Sequence, residues 1–182
     1  MTKRKLTLRC LCEGAIMLAL AQVLGYIKLW QLRNVVAEIK IFVFCIRWGF
    51  GPGLLVSFAF GLLQLFLDVA YSAGWQSIIG DYLLAFAVMG FAGLFKGKKN
   101  GIYWGSLLGT FLRFLVHYVT GATLWAEYMP DEFFGMTMTS PWIYSALYNG
   151  SFLLLSLVLT LVVVAILQKP LGKYLRAEDL QK

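Results

Sequence analysis

Charge is the first thing this sequence is short of. Of its 182 residues only 14% are Asp, Glu, Lys or Arg, and 60% are hydrophobic. Soluble domains carry about 25% charged residues, so the composition indicates an integral membrane protein. Histidine is almost missing: His117 is the single one. With no H-E-x-x-H motif and no metal-ligand cluster, neither a metal nor a cofactor is expected. The three cysteines, Cys10, Cys12 and Cys45, form no C-x-x-C pair and lie in or beside apolar segments. They read as small apolar filling. No G-x-x-x-x-G-K-[ST] phosphate loop occurs, so ATP consumed in any transport must be handled by a partner. Nothing around Ser106, Ser140, Ser145 or Ser151 resembles an activated nucleophile, and no enzyme is expected. A second domain, a low-complexity linker and a clear internal repeat are also lacking.

What is present is long apolar runs. A spanning helix needs ~20 mostly apolar residues. Residues 10–29, 51–71, 102–125 and 143–168 meet this plainly. Residues 78–95 span with one acid, Asp81, and the shorter 35–48 carries Glu38 and Lys40. The basic N-terminus (Lys3, Arg4, Lys5, Arg9) followed by an apolar run ending in "ALA" (19–21) mimics a signal peptide; here it is taken as a first helix. The expected fold is an all-α membrane protein, a bundle of six transmembrane helices in one integral membrane domain, residues 1–182.

Lys and Arg concentrate on the cytoplasmic side of short loops. With six spans, twelve of the sixteen basic residues fall on one side: the N-terminal four, Arg47, three in "KGKK" (96–99), and Lys169, Lys173, Arg176 and Lys182. The loop before the sixth span has Glu127, Asp131 and Glu132 and no base. Both termini are therefore expected in the cytoplasm of a prokaryotic cell. Topology and contact with the lipid bilayer account for the net charge of +7, so no nucleic-acid partner is expected.

Small residues four apart mark close helix packing in lipid. They occur at Ala15 and Ala19, at Gly53, Ser57 and Gly61, and at Gly101, Gly105 and Gly109. Continuing the last series by fours reaches Arg113 and His117. Each step of four drifts by roughly 40°, so Gly109, Arg113 and His117 share one sector facing the bundle.

Intramembrane polar groups are costly and usually face the interior or a water-filled cavity. On the six-span topology Asp81, His117, Trp125, Tyr144 and Asn149 all lie toward the outer surface, with Tyr71, Trp75 and Tyr82 around the loop between spans three and four and Trp30 in the first outer loop. Together they suggest an outward pocket for a flat, cationic, partly polar small molecule. Two alternatives stand beside it. The aromatics also suit an interfacial belt, and Asp81 could pair with Arg113. Tyr144 and Asn149, ~140° apart on a regular helix, reach one ligand only if the helix end is irregular or the ligand is wrapped.

The blocks "RWGFGPGLL" (47–55), "DYLLAF" (81–86), "RFLVHYVTGATLW" (113–125), "EYMP" (127–130) and "YSALYNG" (144–150) carry a resemblance through their order and spacing. The chain resembles the thiamin-specific substrate-binding subunit, or S-component, of energy-coupling factor (ECF) vitamin transporters, over most of its length and most strongly from residue 47. The resemblance implies high-affinity thiamin capture at the outer face without covalent chemistry. It implies that Asp81, followed by Tyr82, contacts the aminopyrimidine, that His117 and Trp125 sandwich the rings, and that Tyr144 and Asn149 add hydrogen bonds. Tyr71 matches an aromatic contact and Trp30 a looser one. It further implies docking through Ala15 and Ala19 on a transmembrane coupling subunit, with two ATPase subunits completing the importer and the S-component toppling to release vitamin inward. The chain departs from the family at "NVVAEIKIF" (34–42), where Glu38 and Lys40 replace a Gly/Ser-rich stretch and a proline, and Asp81 is one methylene shorter than the glutamate of some members. A thiamin precursor or analogue, another vitamin, or a structural membrane protein remain alternative readings.

Overall fold

The computed structural model describes residues 6–25, 35–68 and 72–180. Its helices are α1 (Leu8–Gly25), α2 (Val35–Trp48), α3 (Phe50–Asp68), α4 (Trp75–Phe95), α5 (Gly101–Thr123) and α6 (Pro141–Leu175). Among the described residues, three stretches can cross a membrane by length and apolarity alone: Phe50–Leu67, Trp75–Phe95 and Pro141–Leu180. Helices α1, α3, α5 and α6 expose large apolar side chains outward, among them Ile16, Phe66, Phe111 and Ile166, which fits a lipid-facing perimeter.

The short α2 occupies the centre. Its 14 residues span about 21 Å at 1.5 Å each, against ~30 Å of hydrocarbon. Residues 41–47 are buried without a break, as expected for a helix surrounded on every side. It packs against α1, α3, α4, α5 and α6, and Phe42, Phe44 and Cys45 form the middle of the core. Gly49, with φ of 91°, turns the chain directly into α3. Arg47, counted above among the basic residues between spans, instead lies fully buried in the last turn of α2, held by carboxylates from elsewhere.

Helix α4 is not regular. Ile78–Leu84 is wound as a π-helix and Val88–Phe95 as a 3₁₀-helix. The Ala85 amide donates to the Gly80 carbonyl, five residues back. π-segments are uncommon and often accompany function; this one carries Asp81 and Tyr82.

A small element absent from the all-α expectation joins α5 to α6. Glu132–Phe133 (β1) and Met136–Thr137 (β2) pair as an antiparallel hairpin. Its two central residues, Phe134 and Gly135, both have positive φ (52° and 72°), the geometry that suits the twist of a two-residue hairpin loop. Pro141 then opens α6 at its first position, where a missing N–H costs nothing. Past Pro170 the helix loses its dihedrals at Leu171.

Candidate ligand-binding site

Two close backbone approaches build the site. A Cβ on Gly80 would stand 2.5 Å from Thr120 Cγ2, and one on Gly121 would stand 2.4 Å from Ser145 Oγ. Lacking side chains there, α4 closes on α5, and α5 on α6. The first approach lets Thr120 Oγ1 donate to Asp81 Oδ1 at 2.5 Å. The second lets Ser145 Oγ donate to the Tyr118 carbonyl at 2.8 Å and Asn149 Nδ2 to the His117 carbonyl at 3.2 Å.

Asp81 is the meeting point. Besides Thr120 it accepts from Ser77 Oγ at 3.1 Å and Trp125 Nε1 at 2.8 Å, and faces His117 Nδ1 at 3.0 Å. Trp125 reaches it because α5 ends at Thr123 and the chain bends at Trp125, φ −103° and ψ 9°, into a 3₁₀ turn, Ala126–Tyr128. An ionised carboxylate has about four lone-pair sites, and four groups surround this one.

Behind His117 lies Arg113, whose Nε donates to His117 Nε2 at 3.3 Å. A guanidinium only donates. Nε2 therefore carries no proton, and the neutral imidazole directs its Nδ1–H at Asp81. Arg113 does not pair with Asp81. Its Nη1 is bound to Glu38 Oε1, and Ser156 Oγ donates to Glu38 Oε2 at 2.8 Å. Glu38 is 1% exposed and Arg113 3% exposed; the pair is sealed between α2, α5 and α6. The Arg113 guanidinium also lies 4.3 Å above the Phe86 ring.

These groups border a cavity of about 430 Å³. Asp81, Tyr82, His117, Trp125, Tyr144 and Asn149 all line it, as does Arg113. Tyr71 and Trp30 lie outside the described residues. Tyr144 and Asn149 share the cavity although the helix bearing them is regular there. Ser145 and Tyr148 fill the sector between them, so the cavity wall on this helix is continuous. The Tyr144 and Tyr148 rings lie tilted at 32° with centroids 5.7 Å apart, and hairpin residue Phe133 meets Tyr144 edge-on at 5.3 Å. Ala15 and Ala19 lie elsewhere, exposed on α1.

Residues 11–175 match the model of a family described as thiamine transporter protein (Thia_YuaJ). The chain belongs to this family. It is 30% identical to the thiamine transporter ThiT of Lacticaseibacillus paracasei, with 85% of this chain and 84% of that protein covered. It is 27% identical to the thiamine transporter ThiT of Bacillus subtilis, covering 92% and 94%. A solved structure of ThiT from Listeria monocytogenes superposes with a TM-score of 0.79 at 26% identity, over 92% of this chain and 97% of that one. With its apolar helices, this member of the thiamine transporter family is a multi-pass protein of the prokaryotic plasma membrane.

Several residues around this family member's cavity were not among the sequence candidates. Tyr148 follows Tyr144 by four, and Ser145, Asn149 and Phe152 follow the i, i+4, i+7 spacing of one helical face; extending each series along α6 would have found them. Gln64, a polar residue in the apolar α3, also lines the cavity and is the sort of intramembrane polar group that marks a site. Gly121 carries no such signal, because its role appears only where α6 passes.

Proposed function

We propose that this chain is the thiamin-capturing subunit of an energy-coupling factor importer. The observation that carries the reading is Asp81, a carboxylate ringed by donors in the wall of an aromatic-lined cavity. Thiamin is a flat cation with an aminopyrimidine at one end. In this reading its exocyclic amine takes a place at Asp81, for which one present donor must yield. Thr120 is suited to yield, since its hydroxyl also lies 3.3 Å from the His117 carbonyl. The rings insert between His117 and Trp125, with Tyr82 and Tyr144 beside them and Tyr71 and Trp30 as further contacts. Aromatic faces attract such a cation by ~0.5–2 kcal/mol each. Asn149 commits its amide nitrogen to the His117 carbonyl of α5 and the Ser145 carbonyl of its own helix, leaving its carbonyl oxygen to accept from ligand.

The same proposal includes six spans with both termini cytoplasmic and the cavity toward the outer face, supported by the one-sided distribution of Lys and Arg. Thiamin is bound and released without covalent chemistry. A transmembrane coupling subunit docks on Ala15 and Ala19, and two ATPase subunits supply the energy. Supporting this docking face, Ala15 borders a shallow apolar groove of about 210 Å³ between α1 and α3, with Leu11, Leu18 and Leu55.

Thiamin titrated into the purified chain is expected to quench tryptophan fluorescence through Trp125, with Kd below micromolar. A folded chain that ignores micromolar thiamin while binding another vitamin from a panel would refute the substrate. Bulky replacements at Ala15 and Ala19 are expected to leave binding intact and stop uptake in cells.

A further inference from the structure

We infer that Glu38 is a positioning and charge-setting residue for ligand capture: by neutralising Arg113 inside the cavity wall, it leaves the site with one net negative charge, matched to a monocation. The inference rests on the thiamin reading above. Among the described residues, the acids and bases lining the cavity are Asp81, Arg113 and His117. A cavity built for a cation that also contains an arginine poses a contradiction, since Arg113 and Asp81 alone would sum to zero. Glu38 resolves it from behind. It sits on the central helix α2, is bound to Arg113 Nη1, and its second oxygen is satisfied by Ser156.

Burial makes the pairing consequential. Both partners are almost fully enclosed, so water screens the guanidinium little, and Glu38 is the carboxylate bound to it. Compensated in this way, Arg113 acts as a donor and not as a free positive charge. Its Nε–H fixes the tautomer of His117, and His117 Nδ1–H then faces Asp81. The line Ser156–Glu38–Arg113–His117–Asp81 thus runs from α6 through α2 and α5 to α4 and ends on the ligand side.

The test measures two ligands on the full-length purified chain: thiamin, and an uncharged analogue with thiophene in place of thiazolium. The readout is the ratio of their affinities, because loss of shape weakens both ligands while loss of charge matching weakens the cation selectively. Glu38→Gln is expected to lower the preference for thiamin by about tenfold or more. Glu38→Gln combined with Arg113→Gln returns the preference toward that of the unaltered chain. Arg113→Gln alone, which leaves two negative charges, raises it above the unaltered chain, and this arm decides the matter if Glu38→Gln does not fold. One ratio common to all the variants that fold overturns the inference. Failure of the unaltered chain to bind either ligand overturns instead the thiamin reading beneath it.

Discussion

Two buried arginines serve opposite ends of this molecule in opposite ways. Arg47, fully enclosed at the end of α2, meets Glu13 through Nε at 2.5 Å and Nη2 at 3.1 Å. It meets Asp179 through Nη1 at 2.9 Å and Nη2 at 3.0 Å, and its guanidinium lies 3.3 Å over the Tyr174 ring. Tyr174 in turn donates to Glu13 at 2.9 Å, and Arg9 reaches Asp179 at 2.5 Å. Among the described residues two bases face two acids there, so α1, α2 and the C-terminal turn are clamped by a balanced set of charges. Among the described residues Arg113 has one carboxylate partner, and it gives its Nε–H to an imidazole. Its surroundings close on themselves only as far as Asp81, which still faces a cavity. The lesson is that burial and pairing alone do not mark a site; an unbalanced charge beside open volume does.

The comparison can be broken most forcefully at Arg47. Arg47→Ala strips Glu13 of its main partner, and breaking a buried pair costs about 3–5 kcal/mol. The expected outcome is a large drop in melting temperature in detergent, with little change in thiamin affinity for the chain that remains folded. Asp81→Asn should invert this pattern. Affinity is expected to fall on the order of a hundredfold, about 2.7 kcal/mol, while the unliganded melting temperature moves less than for Arg47→Ala. Equal effects of both substitutions on both measurements would erase the distinction between clamp and site. Gly80→Ala is expected to be smaller: its Cβ would meet Thr120 Cγ2 at 2.5 Å, an overpacking of about 1–3 kcal/mol. The Thr120–Asp81 contact would shift with it, so both stability and affinity should decline together.

The smallest effect is expected at the clamp's exposed edge. The Arg47 guanidinium hydrogen-bonds Asp179 and holds its carboxyl below the usual carboxylate range. A depressed native value stabilises the fold above the unfolded value of about 3.9 and loses that contribution as pH falls through the native one. Asp179→Asn should therefore melt slightly lower than the unaltered chain at pH 7, with the gap narrowing toward pH 3. A gap that widens on acidification would show that Asp179 acts by some route other than its charge.

Parts of this arrangement were legible in the chain itself. The spacing Gly109–Arg113–His117 pointed inward, and both Gly109 and Arg113 are buried. Asp81, His117, Trp125, Tyr144 and Asn149, scattered over almost seventy residues, converge on one cavity, because polar groups in an apolar chain have few favourable places to go. Other parts were not legible. The π-winding around Asp81 has no sequence marker, since the residues Ile78–Leu84 suit an ordinary helix equally well. Glu38 looked like a local oddity in a short span. Its partner is 75 positions away on another helix, and no periodicity connects them.

Composition and order determined the class of this protein by themselves. The cost of exposing apolar residues to water, or charges to lipid, belongs to each side chain and sums along the chain whatever the fold. The tertiary structure alone decided which acid answers which base. Attraction between charges depends on their separation and on how far water is excluded around them. Both are set only once α2 is enclosed by its neighbours and Glu38 is brought against Arg113.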